Sequence, residues 1–161
     1  MKRLAIAVTV LAIGAAGCGS SSSTPTAPST TKIFTVQLSA LNEVPAITNV
    51  ESTARGTAVV TVDSAKNTID FNVSLNSFPA GSVVNIAHIH AAAAGANAGV
   101  LLSTGLTAGT VTLTNGSGTF SFLQVQATAA QVTQILANPA GHYFNVHTAL
   151  NGGGAIRGQL Q

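Results

Sequence analysis

Residues Ile69 to Asn76 alternate without a break, Ile69, Phe71, Val73 and Leu75 being apolar and Asp70, Asn72, Ser74 and Asn76 polar. Successive side chains of a strand point to opposite faces, so this run predicts a strand with one apolar and one polar face. The same period appears in Phe34, Val36 and Leu38, which alternate with Thr35, Gln37 and Ser39. Gly56 to Val62 is rich in Val and Thr, and Asp63-Ser64-Ala65-Lys66-Asn67-Thr68 between it and Ile69 is turn chemistry. Two such runs around a short polar turn predict a β-hairpin. Further strand-like runs follow at Val83–His90, Val100–Leu102, Val111–Leu113, Thr119–Leu123, His142–Ala149 and Ala155–Leu160. One stretch, Ala127 to Ala137, is helical in character: Thr128 is an N-cap candidate, Val132, Ile135 and Leu136 share a face, and Asn138-Pro139 stops it. Strands at this spacing with one short helix predict an all-β, antiparallel β-sandwich or barrel of Greek-key type.

The N-terminus has a different character. Met1-Lys2-Arg3 is a short basic segment, and Leu4 to Ala16 is apolar but too short to span a bilayer. It closes on Ala15-Ala16-Gly17-Cys18, and Cys18 is the only cysteine of the chain. This resembles a bacterial lipoprotein signal, with Ala15 where Leu or Val is more usual. The resemblance implies removal of residues 1–17 and a lipid on Cys18, which would anchor the protein to a membrane of the cell envelope. By the same resemblance, Gly19 rather than aspartate after the cysteine implies export to the outer membrane if the cell is Gram-negative. Residues 19–31 are Gly, Ser, Thr, Pro and Ala, with no charge and no large apolar residue. Such a segment cannot bury enough surface to fold, so residues 18–31 read as a lipidated cysteine and flexible tether. The folded domain is then residues 32–161.

Charge excludes one class of partner. The six basic residues of the chain include Lys2 and Arg3, which leave with the signal. Lys32, Arg55, Lys66 and Arg157 then face Glu43, Glu51, Asp63 and Asp70, four against four. There is no basic run, so nucleic-acid binding has no electrostatic footprint. A single cysteine also rules out an intrachain disulfide.

The chemistry-bearing residues concentrate in two strands. Val83 to His90 ends in His88-Ile89-His90, whose histidines share a face about 6.7 Å apart. Val84 and Ile86 belong to that face by alternation, so it is expected to begin in the core and reach the rim of the sandwich at the histidines. His147 lies in Tyr143-Phe144-Asn145-Val146-His147-Thr148. Three neutral imidazoles suit copper or zinc and leave a coordination position open. The competing reading has these histidines hydrogen-bonded to backbone carbonyls and to Asn145. His142 lies five residues before His147 and falls on the opposite face. Glu43 and Arg157 form a second pair, expected as a bidentate ion pair between the first loop and the last strand, or with Glu43 as a further ligand or base.

No reaction class finds its residues. The chain lacks a Gly-x-Ser-x-Gly elbow and carboxylates spaced for sugar hydrolysis. Asp63 and Asp70 flank a turn and read as solvated. Gly95-Ala96-Asn97-Ala98-Gly99 has no following Gly-Lys, so it is not a phosphate loop.

Five motifs in order carry a family resemblance: Leu41-Asn42-Glu43-Val44-Pro45, Gly56-Thr57-Ala58, Ala87-His88-Ile89-His90, Asn145-Val146-His147-Thr148, and Gly154-Ala155-Ile156-Arg157-Gly158-Gln159-Leu160. Together they resemble the CHRD domain, over residues 33 to 161. Ala46 and His142 depart from the family's usual residues. The resemblance implies an immunoglobulin-like β-sandwich and brings no established reaction. The expected function is a membrane-tethered, non-enzymatic binding or structural module whose ligand is a protein, glycan or matrix component. The alternative is a copper- or zinc-binding envelope protein using His88, His90 and His147.

Overall fold

The computed structural model describes residues 30–161; the signal segment, Cys18 and most of the tether lie outside them. Three nine-residue strands, β1 (Thr31–Ser39), β2 (Arg55–Asp63) and β3 (Thr68–Asn76), form an antiparallel meander. The hairpin between β2 and β3 is closed by Asp63, whose Oδ1 accepts from the backbone N–H groups of Ala65 (2.9 Å) and Lys66 (3.2 Å). Asn67 takes the left-handed conformation that the turn requires, at φ 54°.

Beyond the meander the chain places β4 (Val83–His90), β5 (Val100–Ser103), β6 (Val111–Thr112), β7 (Gly118–Gln126), α1 (Ala129–Ala137), β8 (Tyr143–Thr148) and β9 (Ile156–Gln159). The sheet runs β5-β4-β8-β9-β1-β2-β3-β7, with β6 also on β4. All recorded strand pairs are antiparallel, as expected. The sandwich is made by one continuous sheet that curls over on itself. Phe71 of β3 and Phe144 of β8, four strand positions apart, stack at 5.5 Å across the interior. Around them lie Phe34, Val36 and Leu38 of β1, Val60 and Val62 of β2, Ile69, Val73 and Leu75 of β3, and Ile156 of β9, all buried. The apolar half of every alternating run in the meander therefore faces this core.

The helix forms where the cap signal falls. Thr128 accepts from Gln131 N, and the Gln131 side chain reaches back to Thr128 N, a reciprocal capping box. Val132 and Ile135 are buried, and Gln131 Nε2 donates to the Leu101 carbonyl at 2.7 Å. Asp70 is less idle than its turn position suggests. Its Oδ1 accepts from Gln124 N at 2.6 Å beside the register shift between β3 and β7.

Candidate functional site

The histidine strand does not keep one phase. The register of β4 on β8 shifts between Val84 and Ile86, a bulge that moves every later side chain to the other face. Val84, Ala87 and Ile89 therefore point into the core. Ile86, His88 and His90 occupy the opposite, outer face, which corrects the expectation that Val84 shares the histidines' face. In β8, Phe144 and Val146 are core residues, which sends Tyr143, Asn145 and His147 outward. Pairing sets Ile86 opposite His147, His88 opposite Asn145, and His90 opposite Tyr143; on β9, Asn145 faces Arg157.

An outer sheet face is normally wet, yet this one is covered by loops. His88, His90, Asn145, His147, Arg157 and Glu43 are all buried. The loop before β5 supplies carbonyls: Ala98 O accepts from His90 Nδ1 (3.0 Å) and Ala96 O accepts from Arg157 Nη1 (3.2 Å). The loop before β9 supplies Gly152 O, which accepts from His147 Nδ1 at 3.0 Å. The Gly95–Gly99 stretch is thus a lid over the polar face. Its role was hard to see in the sequence because, Asn97 aside, it works through main-chain carbonyls, which every residue has.

The three imidazoles come together. One ligand-capable atom from each of His88, His90 and His147 lies within 4.8 Å of the others. The rings of His88 and His147 meet edge-on at 4.9 Å, and His90 stacks on Tyr143 at 4.7 Å with the planes 8° apart. Two of the three do hydrogen-bond carbonyls, each through one nitrogen. His90 Nε2, His147 Nε2 and His88 Nδ1 are buried without a hydrogen-bond partner. Burial, then the neighbouring His147 and His90, holds the His88 pKa down to about 4, so its ring is neutral at physiological pH. Burial lowers that of His147 as well, against the raising effect of its bond to Gly152. His142 stays outside the cluster, with Nδ1 on the Asn138 carbonyl at 2.8 Å.

Glu43 and Arg157 approach to 3.8 Å between Oε2 and Nε, a single contact rather than a fork. The guanidinium is engaged elsewhere. Nε donates to the Asn42 carbonyl (2.7 Å), Nη1 donates to Asn97 Oδ1 (2.8 Å), and the group lies 4.6 Å over the Tyr143 ring. Glu43 Oε1, Arg157 Nη2 and Asn145 Oδ1 are buried without partners. Desolvation outweighs the Arg157 charge and raises the Glu43 pKa from 4.5 to about 7. Both residues line an open cleft of about 560 Å³ with Leu41, Val44 and Gln159. Glu51, which the sequence offers only as one more charge, is fully buried. Its Oε2 accepts from Thr148 Oγ1 (2.7 Å) and Asn151 Nδ2 (2.6 Å), tying the first long loop to the end of β8.

The fold and this buried polar layer define an all-β module that seats its polar residues on the outer face of its sheet beneath loops. A family model for the CHRD domain matches residues 34–160, and the chain belongs to that family. Comparisons with curated proteins and with solved structures returned no match.

Proposed function

We propose that this chain is a non-enzymatic binding module of the bacterial cell envelope, anchored through a lipid on Cys18 and using the buried polar layer as its binding site. One geometric observation supports the reading. The tether joins β1 at Thr31, whereas the polar row Arg157–Asn145–His88 runs across the sheet from Ser39 at the other end of β1. Eight steps of strand separate the two, about 26 Å at the usual rise. A site so placed lies at the end of the domain opposite the tether's attachment, beneath loops that envelope ligands can reach. Among the described residues no helix is long and apolar enough to cross a membrane, so in this reading attachment falls to the lipid.

The test is partition. With Cys18→Ser the protein is expected to move from the membrane pellet to the soluble fraction, since one lipidated cysteine is the only anchor invoked. A variant that still pellets after a high-salt wash overturns the anchor.

A further inference from the structure

Seven buried side-chain N or O atoms among the described residues lack a hydrogen-bond partner, and six belong to this one layer: His88 Nδ1, His90 Nε2, His147 Nε2, Asn145 Oδ1, Glu43 Oε1 and Arg157 Nη2. Each such atom forfeits the hydrogen bonds it would make in water, so folded proteins seldom concentrate them without a ligand to satisfy them. Two of the tautomers are dictated by their partners. A backbone carbonyl can only accept, so His90 and His147 must carry their protons on Nδ1 to bond Ala98 O and Gly152 O. In the neutral rings both Nε2 atoms are then bare lone pairs, buried and without a partner. Carbonyl bonds of this kind are what orient metal-ligating imidazoles elsewhere. The Tyr143 ring stacked on His90 adds a second restraint on its plane.

We propose that His88, His90 and His147 bind one divalent transition-metal ion, zinc or copper(II), with an oxygen ligand at the open position. This rests on the reading of the polar layer as the binding site and names what it takes. Three nitrogen donors with no carboxylate among them suit zinc and copper and discriminate against calcium and magnesium, which demand oxygen. Metal–nitrogen bonds of about 2.0–2.1 Å at the tetrahedral angle set the nitrogens about 3.4 Å apart. The 4.8 Å spread thus closes by roughly 1.4 Å on binding, shared among three side chains. Three protein ligands leave room for water. Asn145 Oδ1, unpartnered and opposite His88 in the ladder, accepts a hydrogen bond from that water. Glu43 stands outside the ligand set, on the Arg157 side of Asn145.

The experiment uses the full chain purified without a polyhistidine tag, stripped with chelator, and titrated calorimetrically with zinc chloride or copper(II) sulfate. Bound metal is counted by elemental analysis. The expected result is one equivalent with a dissociation constant below micromolar, weakened at least 100-fold by His90→Phe or by His147→Asn and unchanged by His142→Asn. Should the histidine variants fold poorly, zinc added to the isotopically labelled parent reads the same point. The ring resonances of His88, His90 and His147 shift, and those of His142 do not. A parent that binds neither metal tighter than about 10 µM, or binding that survives His147→Asn, overturns the site. Failure here leaves membrane partition untouched. Conversely, a chain that binds one equivalent but never pellets keeps the site and loses the anchor.

Discussion

Glu43 and Glu51 are both buried, and their surroundings treat them differently. Glu51 accepts two short hydrogen bonds, whereas Glu43 has one oxygen with no partner and a single guanidinium contact at 3.8 Å. Burial lifts Glu43 from 4.5 to about 7, so the native state favours its protonated form. Between those values the folded chain holds a proton that the unfolded chain has released. This contribution is therefore present at low pH, falls away as pH rises through about 7, and amounts to about 3 kcal/mol at most. Glu43→Gln, a neutral mimic, is expected to gain stability relative to the parent as pH rises from about 5 to 8, with a plateau above. Urea melts across that range check it, and a constant difference between the two proteins means that Glu43 carries its charge unperturbed. His88 and His147 act in the opposite sense. Their pKa values are lowered, so their contribution is complete above 6.5 and is lost as pH falls through the native values, about 4 for His88. In the parent the two trends offset one another in mildly acidic solution, and the Gln variant exposes the histidine trend alone.

At the scale of elements, β9 is a close fit. It touches β1 in register only at Ser39 opposite Arg157, and Gly158 packs directly on the β1 backbone. A methyl group there would run into the carbonyl of Gln37 and press on Val36 Cγ1 at 2.9 Å. Neither is the free end of a flexible side chain. Gly158→Ala is therefore expected to push β9 away from β1 and to cost about 2–3 kcal/mol, in the range for overpacked interiors. Because Arg157 precedes it, the same change should loosen the guanidinium from Asn42. A thermal melt that matches the parent would show that β9 has slack. The glycine was legible as part of a motif, but its reason was not. Close approach of two backbones is a property of the pair of strands, and β1 and β9 are more than a hundred residues apart.

The whole molecule depends on one sheet curling until its flanks meet. Phe71 and Phe144 make that contact from β3 and β8, both fully buried. Phe71→Ala should cost about 3–5 kcal/mol, as large-to-small core changes do. Combined with Phe144→Ala, the loss should fall short of the sum of the singles by about 0.5–1.5 kcal/mol, the excess of a stacked pair. Strictly additive losses in urea would mean that the flanks close without this contact.

Period-two alternation by itself determined the meander, because residues two apart share a face whatever the strand later pairs with. Local chemistry likewise determined the Asp63–Thr68 turn and the capped helix after Thr128, since both are closed by hydrogen bonds within a few residues. It also placed His88 and His90 side by side. What the tertiary structure alone decided is which way they point and what they meet. A one-residue bulge between Val84 and Ile86 reverses the face without disturbing the composition of the strand. The pairing of β4 with β8 brings in His147 from more than fifty residues away, and main-chain carbonyls of two loops set the tautomers. The strand pairing is long-range backbone hydrogen bonding, and the loop carbonyls, though near in sequence, are groups that every residue possesses, so neither leaves a mark on the order of side chains.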